Sequence, residues 1–416
     1  MTLEPSEKPS YGRVLRHRPT LLLWLSQIIS QSGDFIFDIA LLWLVIQTTG
    51  SVAAVGLVVA VVLLPVVFLG PIAGVYVDRL NRRSVLMAAE AFQGAVVLGM
   101  AGLLLLHDLY FPVLLLLVFL LNAGGAIARV TSTAIIPSLV ERSDLGAANG
   151  LFSMSGSVNQ LASLGLGGVV VALFGVETPI LYDAITFFVA LALVSLISSR
   201  LSEPRDEGSE AAAKASFGHD FVEGFAYLRK DPFMSQLVVI AVALNFFGAM
   251  MVTLVAPFAK FALQGNASAY GFMGASMALG TLVGSTVLGK LSMRRTAGPM
   301  LFAGVLLVGA GCILWGFTHE LWETLVATAI VGVGLAAANL PIAVLFQAKV
   351  PKQLLGRVGS ALGSGTAASQ PAGALLAGLL AASLTVGPVY SLCGAAILII
   401  GLLGFAGLRE LRKVSF

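Results

Sequence analysis

Two amides and two carboxylates stand at helical spacing inside the first long apolar stretch of the chain. Gln27, Gln31, Asp34 and Asp38 follow one another at steps of four, three and four residues. At roughly 100° per residue, the four side chains fall within about 60° of one another on a helix. Acids in such a stripe can bind a proton or a cation. The alternative for each acid is a structural role, in which it accepts hydrogen bonds from a distant helix.

The apolar stretch around these residues is long enough to cross a bilayer. A carboxylate that faced lipid would cost at least about 2.5 kcal/mol, so we expect the stripe to face a cavity or other helices. In a cavity, desolvation and mutual repulsion favour the protonated form of at least one acid. An acid that gains its proton on one side of a membrane and loses it on the other can couple transport to a gradient. Asp34 and Asp38 are therefore the predicted proton-coupling residues.

Three further charged residues fall inside apolar stretches. Arg129 is predicted to neutralise a carboxylate, and an ion pair with Glu90 is the favoured arrangement, although Asp78 is a second possible partner. Asp183 follows Tyr182 near the start of its stretch, where it would cap or anchor a helix or meet a substrate.

Polar, aromatic and methionine side chains in several stretches are candidates for a substrate cavity, because Met and aromatic groups suit an adaptable apolar pocket. Plain packing or hydrogen bonding between helices is the alternative for each. The residues concerned are Gln27, Gln31, Asn245, Phe246, Met250 and Asn339. The two cysteines, Cys312 and Cys393, are expected to be small buried groups, so the sequence predicts no disulfide, metal site or cofactor.

The elements that must carry these residues are membrane helices. The chain is 58% hydrophobic and offers twelve stretches of the roughly 20 residues that a spanning helix requires. The predicted fold is an all-α membrane protein with twelve transmembrane helices in two pseudo-symmetric six-helix bundles. The predicted divisions are a cytosolic N-terminal segment (1–19), a first bundle (20–200), a cytosolic linker with an amphipathic helix (201–233), a second bundle (234–410) and a cytosolic tail (411–416).

The cations indicate how the chain is oriented. All Lys and Arg residues except Arg129 and Lys260 fall at the termini or between alternate pairs of stretches, on one side of the membrane. The positive-inside bias makes that side the cytoplasm, with both termini there. The net charge of +3 therefore reflects topology and gives no support for nucleic-acid binding. The predicted location is the plasma membrane.

Glycine spacing repeats between the two halves. Pairs four residues apart occur at corresponding places, and such pairs allow helix backbones to approach closely. The pairs are Gly70 with Gly74, Gly146 with Gly150, Gly280 with Gly284, and Gly359 with Gly363. Two matching halves favour a transporter whose site lies where the halves meet.

The turn after the second stretch resembles the signature of the major facilitator superfamily, Gly-x-Leu-Ala-Asp-Arg-x-Gly-Arg-Lys. The matching residues are Gly74, Asp78, Arg79, Arg82 and Arg83, whereas Asn81 stands in place of the second glycine. By this resemblance, these residues form a cytoplasmic gate in which Asp78 faces the start of the eleventh helix. The resemblance also implies a monomer.

The segments Ser30 to Asp34, Ala40 to Trp43 and Thr49 to Ser51 are similar to those of the twelve-helix drug:proton antiporters, a branch that includes macrolide-efflux proteins and enterobactin exporters. The resemblance implies export of amphipathic compounds. The sequence carries no phosphate-binding loop, so the predicted protein is a secondary transporter and not an enzyme. Its predicted partners are an amphipathic drug-like compound or siderophore, protons and membrane lipids. A lipid or lysolipid flippase and a non-transporting membrane receptor or scaffold are the alternatives.

Overall fold

The computed structural model describes residues 11–77, 80–141, 143–198, 217–290, 293–351 and 353–407. Over these ranges the chain folds into helices joined by short turns, and no strand occurs in them. The helices are α1 (Tyr11–Arg16), α2 (Arg18–Thr49), α3 (Val52–Val77), α4 (Arg82–Leu105), α5 (Phe111–Leu139), α6 (Leu145–Phe174), α7 (Glu177–Ser195), α8 (Phe217–Lys230), α9 (Pro232–Pro257), α10 (Ala267–Leu288), α11 (Met293–Gly316), α12 (Leu321–Lys349), α13 (Leu355–Ser383) and α14 (Val386–Gly407).

Twelve of these helices, α2 to α7 and α9 to α14, correspond to the twelve predicted spans, which confirms the predicted fold class. Within the described residues, eleven helices are both long and apolar enough to cross a membrane. The remaining one, α13, has 29 residues, but Gly, Ser and Ala occupy many of its positions. Small residues of this kind allow close helix packing, so a low apolar content does not argue against a span.

Side chains fix the starts of several helices. Asn81 accepts a hydrogen bond from the Ser84 backbone N–H at the start of α4, over 3.1 Å. Asp231 accepts from the N–H groups of Phe233 and Met234 at the start of α9, over 2.8 and 3.0 Å. Each bond satisfies a donor that the first helical turn leaves without a partner, so these residues set where the spans begin.

The chain divides into two compact units, 1–41 with 64–206 and 42–63 with 207–416. In this division the end of α2 and the first half of α3 group with the second half of the chain. One contact within the second unit joins Gly56 of α3 to Gly378 of α13, where a Cβ on Gly56 would lie 2.9 Å from the Gly378 Cα.

In the first unit, α4 packs against both α5 and α7. Gly94 of α4 lies against Phe187 of α7, and Gly124 of α5 lies against the Gln93 side chain. These close contacts bring polar groups on α4 and α7 into the interior of the unit.

In the second unit, helices pack through small residues. Gly280 and Gly284 of α10 touch α12 so closely that a Cβ on Gly280 would lie 2.2 Å from the Ala329 carbonyl oxygen, which confirms the prediction for this pair. The prediction is wrong for Gly70, Gly146 and Gly363, where a Cβ would have no neighbour within 4 Å among the described residues. Spacing places two glycines on one face of a helix, but it does not determine whether another backbone lies against that face.

The linker contains the expected helix, α8. Leu228 is buried, Phe225 is exposed, and Glu223 forms an ion pair with Arg357 near the start of α13. Gly224 lies against the Arg357 backbone, where a Cβ would be 2.3 Å from the carbonyl oxygen. The helix is therefore docked on the second unit.

Candidate functional site

The polar stripe lies on one continuous helix, α2, as its spacing predicts. Gln27, Gln31 and Asp34 are half-buried, and Asp38 is exposed. Ile39 and Ala40, on other faces of the same helix, have no exposed surface. Asp38 is thus the most accessible member of the stripe, while Ile28, Ser32 and Phe35 on other faces are as half-buried as Asp34.

Asp183 of α7 lies against α2 at Gly33, the residue before Asp34 of the stripe. Its side chain is fully buried, and a Cβ added to Gly33 would lie 2.3 Å from Asp183 Oδ1 and 2.2 Å from Thr186 Oγ1. The Thr186 hydroxyl donates to the Asp183 backbone oxygen over 2.8 Å and is 3.4 Å from Oδ1. Because α7 begins at Glu177, Asp183 lies within the helix and does not cap it, contrary to one of the two roles considered from the sequence.

Glu90 of α4 approaches the stripe from another direction. It is 6% exposed and accepts a hydrogen bond from the Ser30 hydroxyl over 3.4 Å. Glu90, Asp34 and Asp183 are close enough to interact electrostatically, and Asp38 interacts with both aspartates. These four residues are called the acidic cluster below. It draws on α2, α4 and α7, which the sequence does not show to be neighbours.

Arg129 of α5 interacts with Asp34 and Asp38, whereas Glu90 is its favoured partner in the sequence analysis. Arg129 is exposed, and it attracts Asp34 and Asp38. No ion pair joins it to Glu90 in the described part of the chain, because the Glu90 carboxylate is directed to Ser30 of α2. Asp78, the other partner considered, lies outside the described residues.

The predicted cavity residues fall into two groups. Gln27 and Gln31 belong to the first unit with the acidic cluster, whereas Asn245, Phe246, Met250 and Asn339 belong to the second. Asn339 is exposed and Phe246 is half-buried. Met250 is 2% exposed and packs against the Cys393 sulfur over 3.8 Å, so it offers almost no surface to a substrate.

Asn245 has a partner that the sequence analysis missed. Its amide nitrogen donates to the Ala241 carbonyl, and its Oδ1 accepts from Gln370 Nε2 of α13 over 3.0 Å. Both amides are half-buried. A long polar side chain among the small residues of α13 was the available signal for Gln370.

Comparison with known proteins places the chain in one family. The model of the transmembrane secretion effector family matches residues 13–414. The chain belongs to this family of the major facilitator superfamily. It is therefore a multi-pass membrane transporter and not an enzyme.

Relatives and solved structures agree with that family membership. The chain is 22% identical to macrolide efflux protein A of Streptococcus pyogenes, over 94% of this chain and 96% of that protein. It is 28% identical to the enterobactin exporter EntS of Escherichia coli O1:K1 / APEC, over 82% of this chain and 80% of that protein. The crystal structure of a bacterial homolog to the human lysosomal transporter Spinster has the same fold, with a TM-score of 0.72 and 18% identity over 98% of this chain and 92% of that chain.

Part of the superfamily signature lies outside the described residues. Asp78 and Arg79 fall there, and Gly74 lies within α3. Arg83 has a contact that the sequence does not predict, since its guanidinium donates to the carbonyls of Val194 and Ser195 over 3.3 and 2.6 Å. A cation at the C-terminal end of a helix is favourable, so Arg83 stabilises the end of α7.

Two contacts within the second unit join the end of α2 and the start of α3 to helices of the C-terminal half. One is the packing of Gly56 on Gly378, in which a Cβ on Gly56 would also lie 2.8 Å from the Ala374 carbonyl oxygen. The other involves Lys260, which lies in a π-helical turn that extends α9 over Phe258–Ala262. Its Nζ is 5.6 Å from the centre of the Trp43 ring, within the range of a cation–π interaction. Lys260, one of two cations that break the charge pattern, thus has a local partner.

Proposed function

We propose that this protein exports a small amphipathic compound in exchange for protons, with Asp34 and Asp38 as the residues that bind the coupling proton. The observation that carries the proposal is the accessible polar stripe of α2, in which one acid is exposed and the next is half-buried. A carboxylate in a membrane helix is retained where it faces water or a partner and performs a function.

The charges around the stripe support a proton as the coupling ion. The acidic cluster supplies four carboxyl groups, and Arg129 is the cation that acts on Asp34 and Asp38. One positive charge cannot neutralise several ionised acids, and their mutual repulsion favours protonation of the remaining ones. Loss of a proton from Asp34 or Asp38 would in turn be stabilised by Arg129. The pair of acids can therefore exist in both states, as a coupling residue must.

The substrate class is inferred from the accessible side chains and from the relatives. Gln27 and Gln31 offer hydrogen bonds, and Phe246 and Phe247 form an edge-to-face pair with ring centres 5.3 Å apart. Apolar surface with a few polar groups suits an amphipathic molecule. Relatives named as a macrolide efflux protein and an enterobactin exporter fit this class.

Transport would proceed by alternating access in the plasma membrane, with both termini in the cytoplasm. In that orientation, the contacts of Gly56 with Gly378 and of Lys260 with Trp43 lie toward the outer side. They would close the outer entrance, and export would require them to separate. Asp78, Arg79, Arg82 and Arg83 with Gly74 would form the opposing cytoplasmic gate.

Transport in proteoliposomes tests the proposal. An imposed pH gradient should drive movement of an amphipathic fluorescent dye, and a protonophore should abolish that movement. Dye transport that is independent of both the pH gradient and the protonophore would contradict proton coupling. A shift of labelled lipid between leaflets without dye transport would indicate a flippase, and the absence of any transport across a panel of dyes would favour a receptor or scaffold.

The orientation gives a separate prediction. Cys312 and Cys393 are both buried. A maleimide should therefore label these two native cysteines little, and the labelling of an engineered surface cysteine can be measured. A membrane-impermeant maleimide should label Asp108→Cys, in the turn between α4 and α5, in intact cells. It should label Glu141→Cys, in the turn after α5, only after permeabilisation. The reverse pattern would show that the termini lie outside.

A further inference from the structure

We propose that Asp183 is a further proton-carrying residue of this transporter and that it exchanges its proton with Asp34. The inference rests on the proposed function of the α2 stripe and extends it to α7. Its starting point is that Asp183, the most deeply buried acid of the cluster, has a carboxyl oxygen with no hydrogen-bond partner in the described parts of the chain. The proposed coupling by Asp34 and Asp38 does not require this property.

The burial of Asp183 is complete, with no exposed surface. Thr186 lies at Oδ1, but Oδ2 has no hydrogen-bond partner in the described parts of the chain. An ionised carboxylate in such a place would lose its hydration without compensation, which is strongly unfavourable. A proton on Oδ2 removes the charge, so the observed environment fits the protonated acid.

Among the residues that the structure describes, the neighbours of Asp183 offer no neutralising group. The charges that act on it come from Asp34 and Asp38 of α2 and from Glu90 of α4, and all are acidic. The third neighbouring helix, α6, contains no ionisable side chain. On α7 itself, Tyr182 shares a hydrogen bond with Ser32, and Glu177 lies in the first turn. Each negative charge that forms nearby strengthens the retention of a proton by Asp183.

The position of Gly33 connects Asp183 to the stripe. Because Gly33 has no side chain, the Asp183 carboxyl lies directly against the α2 backbone beside Asp34. Because Oδ2 has no partner in the described parts of the chain, the exchange first requires a rotation of the Asp34 side chain that brings its carboxyl within hydrogen-bond reach of Oδ2. The O–H bond of protonated Asp34 then breaks as an O–H bond forms at Asp183 Oδ2, and the reverse step restores the first state. Charge is conserved, and no other reactant is needed. The acids form a series from exposed Asp38 through half-buried Asp34 to fully buried Asp183.

Substitution by asparagine separates this role from a structural one. Asparagine has the shape of the protonated acid but cannot release a proton. If Asp183 exchanges its proton, Asp183→Asn should still fold and exchange dye between vesicle compartments, while dye accumulation driven by a pH gradient falls about tenfold. The matched control is Glu177→Gln, which makes the same chemical change at the start of α7 and should leave accumulation unchanged. Full gradient-driven accumulation by folded Asp183→Asn would overturn the proposal.

Infrared difference spectroscopy of the wild-type protein provides a second test that does not depend on transport. A carboxylic acid C=O band should change in intensity with pH, shift in Asp183→Glu and disappear in Asp183→Asn. If Asp183→Asn does not fold, the pH dependence of the wild-type band and its shift in Asp183→Glu are sufficient to test whether Asp183 titrates. An Asp183 band that is independent of pH, or no such band, would refute proton exchange. If added Na⁺ at constant pH removed the band, the residue would be a cation ligand and the proposal would fail.

The same two experiments distinguish the failure of this inference from failure of the proposed function. If the wild type showed no proton-driven transport, the proposed function would be wrong, whereas the infrared band would still report whether Asp183 titrates. Normal coupling in the wild type together with normal coupling in Asp183→Asn would remove only the role of Asp183.

Discussion

Replacing Asp34 and Asp38 together by asparagine should abolish pH-driven export while the protein remains folded. Each asparagine resembles a protonated aspartic acid in shape and keeps its hydrogen-bonding capacity, but it cannot ionise. The two acids are the accessible members of the acidic cluster, and Arg129 is the cation that acts on both. Coupling between two ligands of a protein typically changes affinity about 5- to 150-fold, and the double substitution should remove this entire factor.

The measurement is gradient-driven dye accumulation in proteoliposomes, with dye exchange at equal pH as the readout for transport without coupling. Asp108→Asn makes the same chemical change in an exposed turn and serves as the control. Exchange should persist in the double variant, because a substrate can still bind a neutral stripe. Undiminished accumulation in the double variant would remove Asp34 and Asp38 from the coupling mechanism, and loss of exchange as well would indicate a role in substrate binding.

A larger side chain at Gly56 should hold the outer entrance open. In the structure a Cβ at this position would lie 2.8 Å from the Ala374 carbonyl oxygen and 2.9 Å from the Gly378 Cα. Both atoms belong to the backbone of α13 and cannot move aside without moving that helix. Overpacking of this kind costs about 1–3 kcal/mol. Because only the closed entrance has this contact, Gly56→Val should shift the ratio of closed to open molecules about 5- to 150-fold.

Electron spin resonance distances between labels at Ser51 and Ser383 would measure this shift. Both residues line a cavity of about 720 Å³ at the α2–α3 turn, so the labels report on that end of the second unit. Gly70→Val is the matched control, because Gly70 is on the same helix and a Cβ there has no neighbour within 4 Å. Longer distances in Gly56→Val alone, together with slower export, are expected. Identical distance distributions in both variants would show that the Gly56 contact does not close an entrance.

Gly33 provides a second test of close packing, with its effect in the first unit. A Cβ there would meet Thr186 Oγ1 at 2.2 Å and Asp183 Oδ1 at 2.3 Å. Gly33→Ala should therefore displace α7 from α2 and lower thermal stability in detergent, by about 1–3 kcal/mol of unfolding free energy. Gly99→Ala, on α4 with nothing near its Cβ, should have no such cost. Equal melting temperatures for the two variants would contradict the observed contact.

Features that depend on local composition and spacing could be predicted from the amino-acid sequence alone. Twelve apolar stretches predicted the twelve long helices, because a spanning helix must satisfy its backbone hydrogen bonds internally and present apolar side chains to lipid. The stripe from Gln27 to Asp38 was predictable because helical periodicity fixes which residues share a face. The signature around Gly74 indicated the superfamily before the fold was known.

Which polar groups meet depends on the packing of the helices. Asp183 joins the cluster because Gly33 lets α7 approach α2. Glu90 bonds to Ser30, and the charge of Arg129 acts on Asp34 and Asp38. The glycine pairs show the same limit, since Gly280 and Gly70 share a local pattern but differ in neighbours. A helix face is a property of one segment, whereas a contact depends on the packing of two segments distant in the chain, and that packing is set by the whole assembly of helices.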